Sequence, residues 1–210
     1  VTIDAVLWDF GGIFTPSPFG ALHAYAEAEG VDPAELSDLL FGPYDADTDH
    51  AWHRLERGEL SFVDALQEIM AEAKARGVPL DLGAVFTAMV GSDDRSAVVE
   101  TVRTVRARGV RTAIVTNNIR EYGDMWRTLV PVDELFDVVV DSSEEGVRKP
   151  DPQIFLLTLD RLGVSDPARV VFLDDFDGNV AAARALGMHT ILVGADPHPA
   201  MAELLALLGP

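Results

Sequence analysis

The chain opens on a short apolar run, Ala5, Val6, Leu7 and Trp8, that stops at Asp9 and Phe10 and is followed by Gly11 and Gly12. An unbroken run of that length reads as a strand buried on both faces. It delivers a carboxylate to a sheet edge, where glycines let another group approach the backbone. Pro16, Pro18 and Gly20 mark the exit from the sheet. Helical spacing follows, and it predicts helices over 21–30, 33–41, 50–57, 61–76 and 81–89. Asp32 before Pro33 and Ser61 before Phe62 supply N-caps for two of them. Leu36, Leu39 and Leu40 form one predicted core stripe, and Phe62, Leu66, Ile69 and Met70 a second.

From about residue 96 the pattern changes to strand and helix in alternation. Apolar runs over 110–115, 136–140, 170–173 and 189–193 predict strands, separated by helices over 96–108, from 151 and over 179–186, with a closing helix over 200–208. Asp151 before Pro152 is a further N-cap. Alternation of this kind predicts an α/β fold with a parallel sheet covered on both faces, here interrupted after its first strand by a helical insert. No internal repeat, low-complexity tract or flexible linker breaks the pattern.

Three of the apolar strands end in polar groups: Asp9, then Thr116 with Asn117, then Asp174 with Asp175. The carboxyl ends of strands in an open parallel sheet share one edge, so these residues and Lys149 can converge in a single crevice. Clustered carboxylates repel one another unless a cation sits among them, and hard oxygen donors without Cys suit Mg²⁺. A hydroxyl, an amide and an ammonium opposite the metal would hold phosphate oxygens, and a carboxylate attacking phosphorus would split hydrolysis into formation and breakdown of an aspartyl phosphate.

Bulk properties narrow the class. The 210 residues are 48% hydrophobic, enough for one well-buried domain or for one core carrying a smaller insert, between which length alone does not choose. A formal charge of −19 argues against a nucleic-acid partner, which needs a basic face. Cysteine is absent, so disulfides and thiolate metal sites are excluded. With no leader-like amino terminus and no apolar run of about 18 residues, a soluble, cytoplasmic protein without a membrane partner is expected.

The order and content of these motifs resemble the haloacid dehalogenase superfamily of aspartate-nucleophile hydrolases. Trp8-Asp9-Phe10-Gly11-Gly12 resembles its first motif, Val115-Thr116-Asn117 the second, Lys149-Pro150 the third and Phe172-Leu173-Asp174-Asp175 the fourth. The stretch from Phe172 to Val180, continuing through Ala185-Leu186-Gly187-Met188, is similar to the branch that includes the phosphatase domain of soluble epoxide hydrolases. The resemblance implies a Rossmann-like doubly wound parallel core, 1–15 and 91–210, with an inserted helical cap, 16–90. It implies Asp9 as nucleophile and metal ligand, Asp175 as the main second carboxylate on Mg²⁺, and Asp174 as its assistant. Thr116 and Lys149 would bind and neutralise the phosphoryl group, Asn117 would add a polar substrate contact, and Asn179 would steady Lys149 or the metal shell. The expected partner is a small phosphorylated molecule, and the expected assembly a monomer or homodimer. Response-regulator receiver domains combine similar residues, but in a different order and without the insert.

One position departs from the family pattern. Most phosphatases of the family carry a second Asp two residues after the nucleophile, as acid for the leaving group and base for water; here that residue is Gly11. A backbone carbonyl at 11 could still serve the metal. Three readings follow: an Mg²⁺-dependent phosphatase slowed by the loss, a 2-haloacid dehalogenase-type hydrolase, or an idle relative that binds a phosphorylated ligand or a protein. Candidates to replace the acid are His23, Asp45, Asp47, His50 and His53; Tyr44, Trp52, His53 and Arg54 are candidate substrate contacts.

Overall fold

The computed structural model describes residues 2–89, 94–123 and 125–209. Five parallel strands, β1 (Ala5–Trp8), β2 (Arg111–Thr116), β3 (Val138–Asp141), β4 (Val170–Asp174) and β5 (His189–Leu192), form one sheet in the order β3-β2-β1-β4-β5. The chain builds outward from β1 through β2 to β3, then crosses to the other side of β1 for β4 and β5. The switch point therefore lies at β1 and β4, where crevices form in doubly wound sheets.

Strand alternation separates two apolar layers. Val6, Trp8, Ile114 and Leu173 pack on one face with Val98, Val102 and Val105 of α6 (Ser96–Ala107) and Met201 and Leu204 of α11 (His198–Leu208). Ala5, Leu7, Val115 and Phe172 pack on the other with Ile154, Phe155 and Leu159 of α9 (Pro152–Leu162) and Ala183 of α10 (Asp177–Ala185). Two short helices, α7 (Val132–Leu135) and α8 (Ser142–Glu145), punctuate the loops beside β3, where the sequence pattern predicts neither.

Between β1 and α6 lie α1 (Pro18–Glu29), α2 (Pro33–Phe41), α3 (Ala51–Glu56), α4 (Phe62–Arg76) and α5 (Leu82–Met89), which share a third apolar cluster joined by Ile119 from the loop after β2. The 90/91 boundary expected for the insert lies outside the described residues. The predicted caps form: Asp32 accepts from Ala34 N–H at 2.8 Å, Ser61 Oγ from Asp64 N–H at 3.2 Å and Asp151 from Gln153 N–H at 2.8 Å. Helix α1 begins three residues earlier than its periodicity predicts, because Pro18 sits in the first turn, where its missing N–H costs nothing. Leu36, Leu39 and Leu40 are buried as expected, but Met70 is 42% exposed. Helix α4 buries Ala65, Ile69 and Ala73, spaced by four, and Met70 lies a further 100° round from Ile69.

Candidate active site

The site begins with the ends of β1 and β4. Asp9 follows β1 directly, its N–H donating to Leu173 O at 2.9 Å, and Asp174 is the last residue of β4, so both carboxylates reach the same edge. Asp175 comes next, and carboxylate oxygens of Asp9, Asp174 and Asp175 lie within 4.8 Å of one another. Gly12 makes room for this. It has φ 71°, and a Cβ there would stand 2.1 Å from the Asp175 carboxylate.

Lys149 is buried between two of these carboxylates, with Nζ 2.7 Å from Asp9 Oδ1 and 2.7 Å from Asp174 Oδ2. Asp174 also accepts from Asn179 Nδ2 at 3.1 and 3.2 Å and from Phe176 N–H at 2.8 Å. Asn179, in the first turn of α10, thus steadies the carboxylate that holds Lys149. By contrast Asp175 Oδ2 is buried with no hydrogen-bond partner. Three carboxylates against one ammonium leave the cluster with surplus negative charge. Burial pushes the Asp9 carboxyl well above its usual range, against the pull of Lys149 and with help from Asp174 and Asp175. Burial, then Asp174, pushes Asp175 up to about 6. Burial works against the Lys149 charge, but Asp174 and Asp9 outweigh it and raise its pKa. Crowded carboxylates with an unsatisfied buried oxygen fit a hard divalent cation, which would lower all of these costs together.

Asn117 lines the cavity beside the carboxylates and also holds the chain next to it. Its side chain clamps the backbone of Lys149, accepting from the N–H at 2.8 Å and donating to the C=O at 3.0 Å. The amide expected to meet substrate thus also fixes the loop that carries the ammonium. Gly11, Thr116 and Asn117 line a cavity of about 410 Å³ beside the carboxylates. Its far walls are rings, among them Phe19, Phe41, Tyr44, Trp52, Phe86 and Trp126. Of the candidate substrate contacts, Tyr44 and Trp52 line it, while Arg54 pairs with Glu68 at 3.0 Å away from it.

None of the residues considered as replacements for an acid lines this cavity. His23 is exposed beside Glu27, Asp45 is exposed, and Asp47 pairs with Arg57. His50 caps α3. His53 is fully buried, with Nδ1 against Thr48 at 2.9 Å. Burial, then the Arg148 charge, lowers its pKa to about 3, so it is neutral.

Sequence reasoning missed a buried pair that joins the helical segment to the strand ends. Arg148 Nε donates to Glu56 Oε2 at 2.6 Å, and both side chains are buried. Glu56 Oε1 also accepts from Tyr44 O–H at 2.7 Å and Trp52 Nε1–H at 2.9 Å, and the Arg148 guanidinium lies 4.6 Å from the centre of the Tyr44 ring. Arg148 immediately precedes Lys149. On the other flank Phe176, next to Asp175, stacks on Phe19 with centroids 5.1 Å apart. Glu56 lies in a mixed stretch, with His53, Arg54 and Arg57 beside it, so nothing local marked it, and its partner lies 92 residues away.

Residues 3–187 match the family of haloacid dehalogenase-like hydrolases. The chain belongs to that family. Acyl-CoA dehydrogenase family member 10 of Mus musculus is 32% identical over 98% of this chain and 19% of its own length. Bifunctional epoxide hydrolase 2 of Mus musculus is 31% identical over 89% and 35%. The chain therefore spans about a fifth to a third of these relatives. A sesquiterpene phosphatase of Aspergillus oryzae is 26% identical over 89% of this chain and 88% of that one. The solved structure of an L-2-haloacid dehalogenase superposes over the full length of both chains with a TM-score of 0.67 at 21% identity, which establishes a shared fold. Among the described residues, no helix is long and apolar enough to cross a membrane.

Proposed function

We propose that this hydrolase cleaves phosphate monoesters, with Asp9 as nucleophile. The observation that carries the reading is the arrangement of Asp9, Asp174 and Asp175 around the single ammonium of Lys149. The phosphatase among its relatives supports it. Asp9, Asp174 and Asp175, with the Gly11 carbonyl, would hold Mg²⁺, which when bound neutralises phosphate oxygens and the carboxylate cluster. Lys149 aims the Asp9 carboxylate and pulls it toward its ionised form, and Thr116, at the end of β2 and lining the cavity, would donate its hydroxyl to a phosphoryl oxygen. Attack by Asp9 on phosphorus releases the leaving oxygen, and water then frees phosphate from the aspartyl phosphate. Helices α1–α5 act as a cap that excludes water and receives the leaving group. Dehalogenation of a 2-haloacid ranks lower, because its carboxylate would find no Lys or Arg among the described residues lining the cavity.

The test is hydrolysis of 4-nitrophenyl phosphate with and without Mg²⁺, comparing the chain with Asp9→Asn. Turnover that requires both Mg²⁺ and Asp9 is expected. Turnover that survives Asp9→Asn would overturn the nucleophile, and a lack of turnover, followed by halide release from 2-haloacids, would favour the dehalogenase reading.

A further inference from the structure

The cavity constrains the leaving group more than the phosphoryl site does. A phosphate monoester parts with an oxygen that carries away the electron pair of the broken P–O bond. An alkoxide leaves slowly unless a proton reaches it, whereas a phenolate leaves without one. The question is which of the described groups lining the cavity could supply that proton.

Glu56 cannot. It is the counter-ion of Arg148 and accepts from Tyr44 and Trp52. The Tyr44 O–H is spent on Glu56, and burial, reinforced by that carboxylate, raises its pKa well above the usual value. Tyr122 stands at the mouth, 42% exposed, and burial raises it too. Lys149 is held between Asp9 and Asp174. Gly11 lines the cavity next to the nucleophile, and no atom comes within 4 Å of the place a Cβ would occupy, so the position is open and carries no acid. Thr15, Thr116, Asn117 and Asn118 add hydroxyls and amides that are too weakly acidic to serve, the rest of the described lining is mostly rings and aliphatic side chains, and no Lys or Arg among the described lining residues receives a second anion.

We infer that the site selects aryl phosphates: a single phosphate on an apolar ring system, released as a weakly basic phenolate into the ring-lined cavity between Gly11 and Trp52. The inference rests on the phosphatase reading of Asp9. In the first step the bond from Asp9 Oδ to phosphorus forms as the phosphorus–phenolate oxygen bond breaks, and no proton is needed. In the second, a water oxygen bonds to phosphorus as the Asp9 Oδ–phosphorus bond breaks, Asp9 regains its carboxylate, and one water proton passes to phosphate while the other remains on the oxygen it delivers.

A matched pair of substrates tests this. 2-Naphthyl phosphate and 2-naphthylmethyl phosphate share an apolar body and differ in the basicity of the leaving oxygen. Because aryl esters are intrinsically more reactive, the readout is the change in their kcat/KM ratio between the chain, Gly11→Asp and the near-isosteric Gly11→Asn, all with Mg²⁺. The Asp variant is expected to raise kcat/KM for the naphthylmethyl ester by ~10²–10⁴-fold and for the naphthyl ester little, as a supplied acid would. The Asn variant, which controls for folding and bulk, is expected to leave the ratio where it is. A second arm, 4-carboxyphenyl phosphate, adds one anion to the ring and is expected to lose at least about tenfold in kcat/KM relative to phenyl phosphate, since that charge is buried unpaired. Equal handling of the naphthyl and naphthylmethyl esters by the unmodified chain, the same ratio in the Asp and Asn variants, or good turnover of the carboxylated ring would overturn the inference while leaving the phosphatase reading standing. Failure to hydrolyse any aryl phosphate in an Asp9-dependent way would instead remove the phosphatase reading.

Discussion

The Glu56–Arg148 pair offers the sharpest perturbation of the structure. Glu56→Gln keeps an oxygen for Tyr44 O–H and Trp52 N–H to donate to, and removes only the charge opposite the guanidinium. Breaking one side of a buried ion pair costs about 3–5 kcal/mol, because the remaining charge stays out of water without compensation. Asp47 still offers a carboxylate 3.6 Å from Arg148, so the lower end, about 3 kcal/mol, is expected. For a chain of this length each kcal/mol lowers Tm by roughly 2–4 °C, a drop of about 6–12 °C. Adding Arg148→Met removes the stranded charge and should recover most of the loss, since an apolar replacement of a buried pair is often neutral. Thermal unfolding of the two single variants and the double variant measures the coupling. A cost below about 1 kcal/mol for Glu56→Gln, or a double variant equal to the sum of the singles, would refute the reasoning.

His53 is neutral in the folded chain until about pH 3, whereas in the unfolded chain it takes a proton near 6.5. Its contribution to stability is complete above pH 6.5 and is lost as pH falls toward 3, at no more than about 1.4 kcal/mol per pH unit. Unfolding measured from pH 6.5 to 4 should show a steeper loss for the chain than for His53→Gln; parallel curves would contradict the burial of His53. Gly12→Ala places a methyl group on the Asp175 carboxylate at a left-handed backbone position, and should abolish the rise in Tm on adding Mg²⁺, while Gly11→Ala, in open space, should retain it. Asn117→Ala frees the Lys149 backbone, and should lower kcat by up to about 100-fold with KM little changed; an unaltered kcat would show that the clamp does not position Lys149.

The local determinants of this fold are written in the chain. Ala5 to Trp8 and Val170 to Leu173 are apolar without interruption because strands of a covered parallel sheet have no solvent face, and Asp32, Ser61 and Asp151 cap their helices through bonds that span two or three residues. The order of Asp9, Thr116, Lys149 and Asp174 was enough to place them at one sheet edge, because strand direction and the switch point dictate which strand ends meet. Tertiary packing decided the rest. The role of Asn117 as a clamp and the pairing of Glu56 with Arg148 join positions 32 and 92 residues apart, which no local period encodes, and the burial of His53 depends on how α3 packs. The ring-lined cavity is likewise a property of how α1–α3 close over the strand ends. Periodicity reports which face of an element is apolar, and whether an apolar face becomes solid core or the wall of a cavity is settled only when two such faces meet.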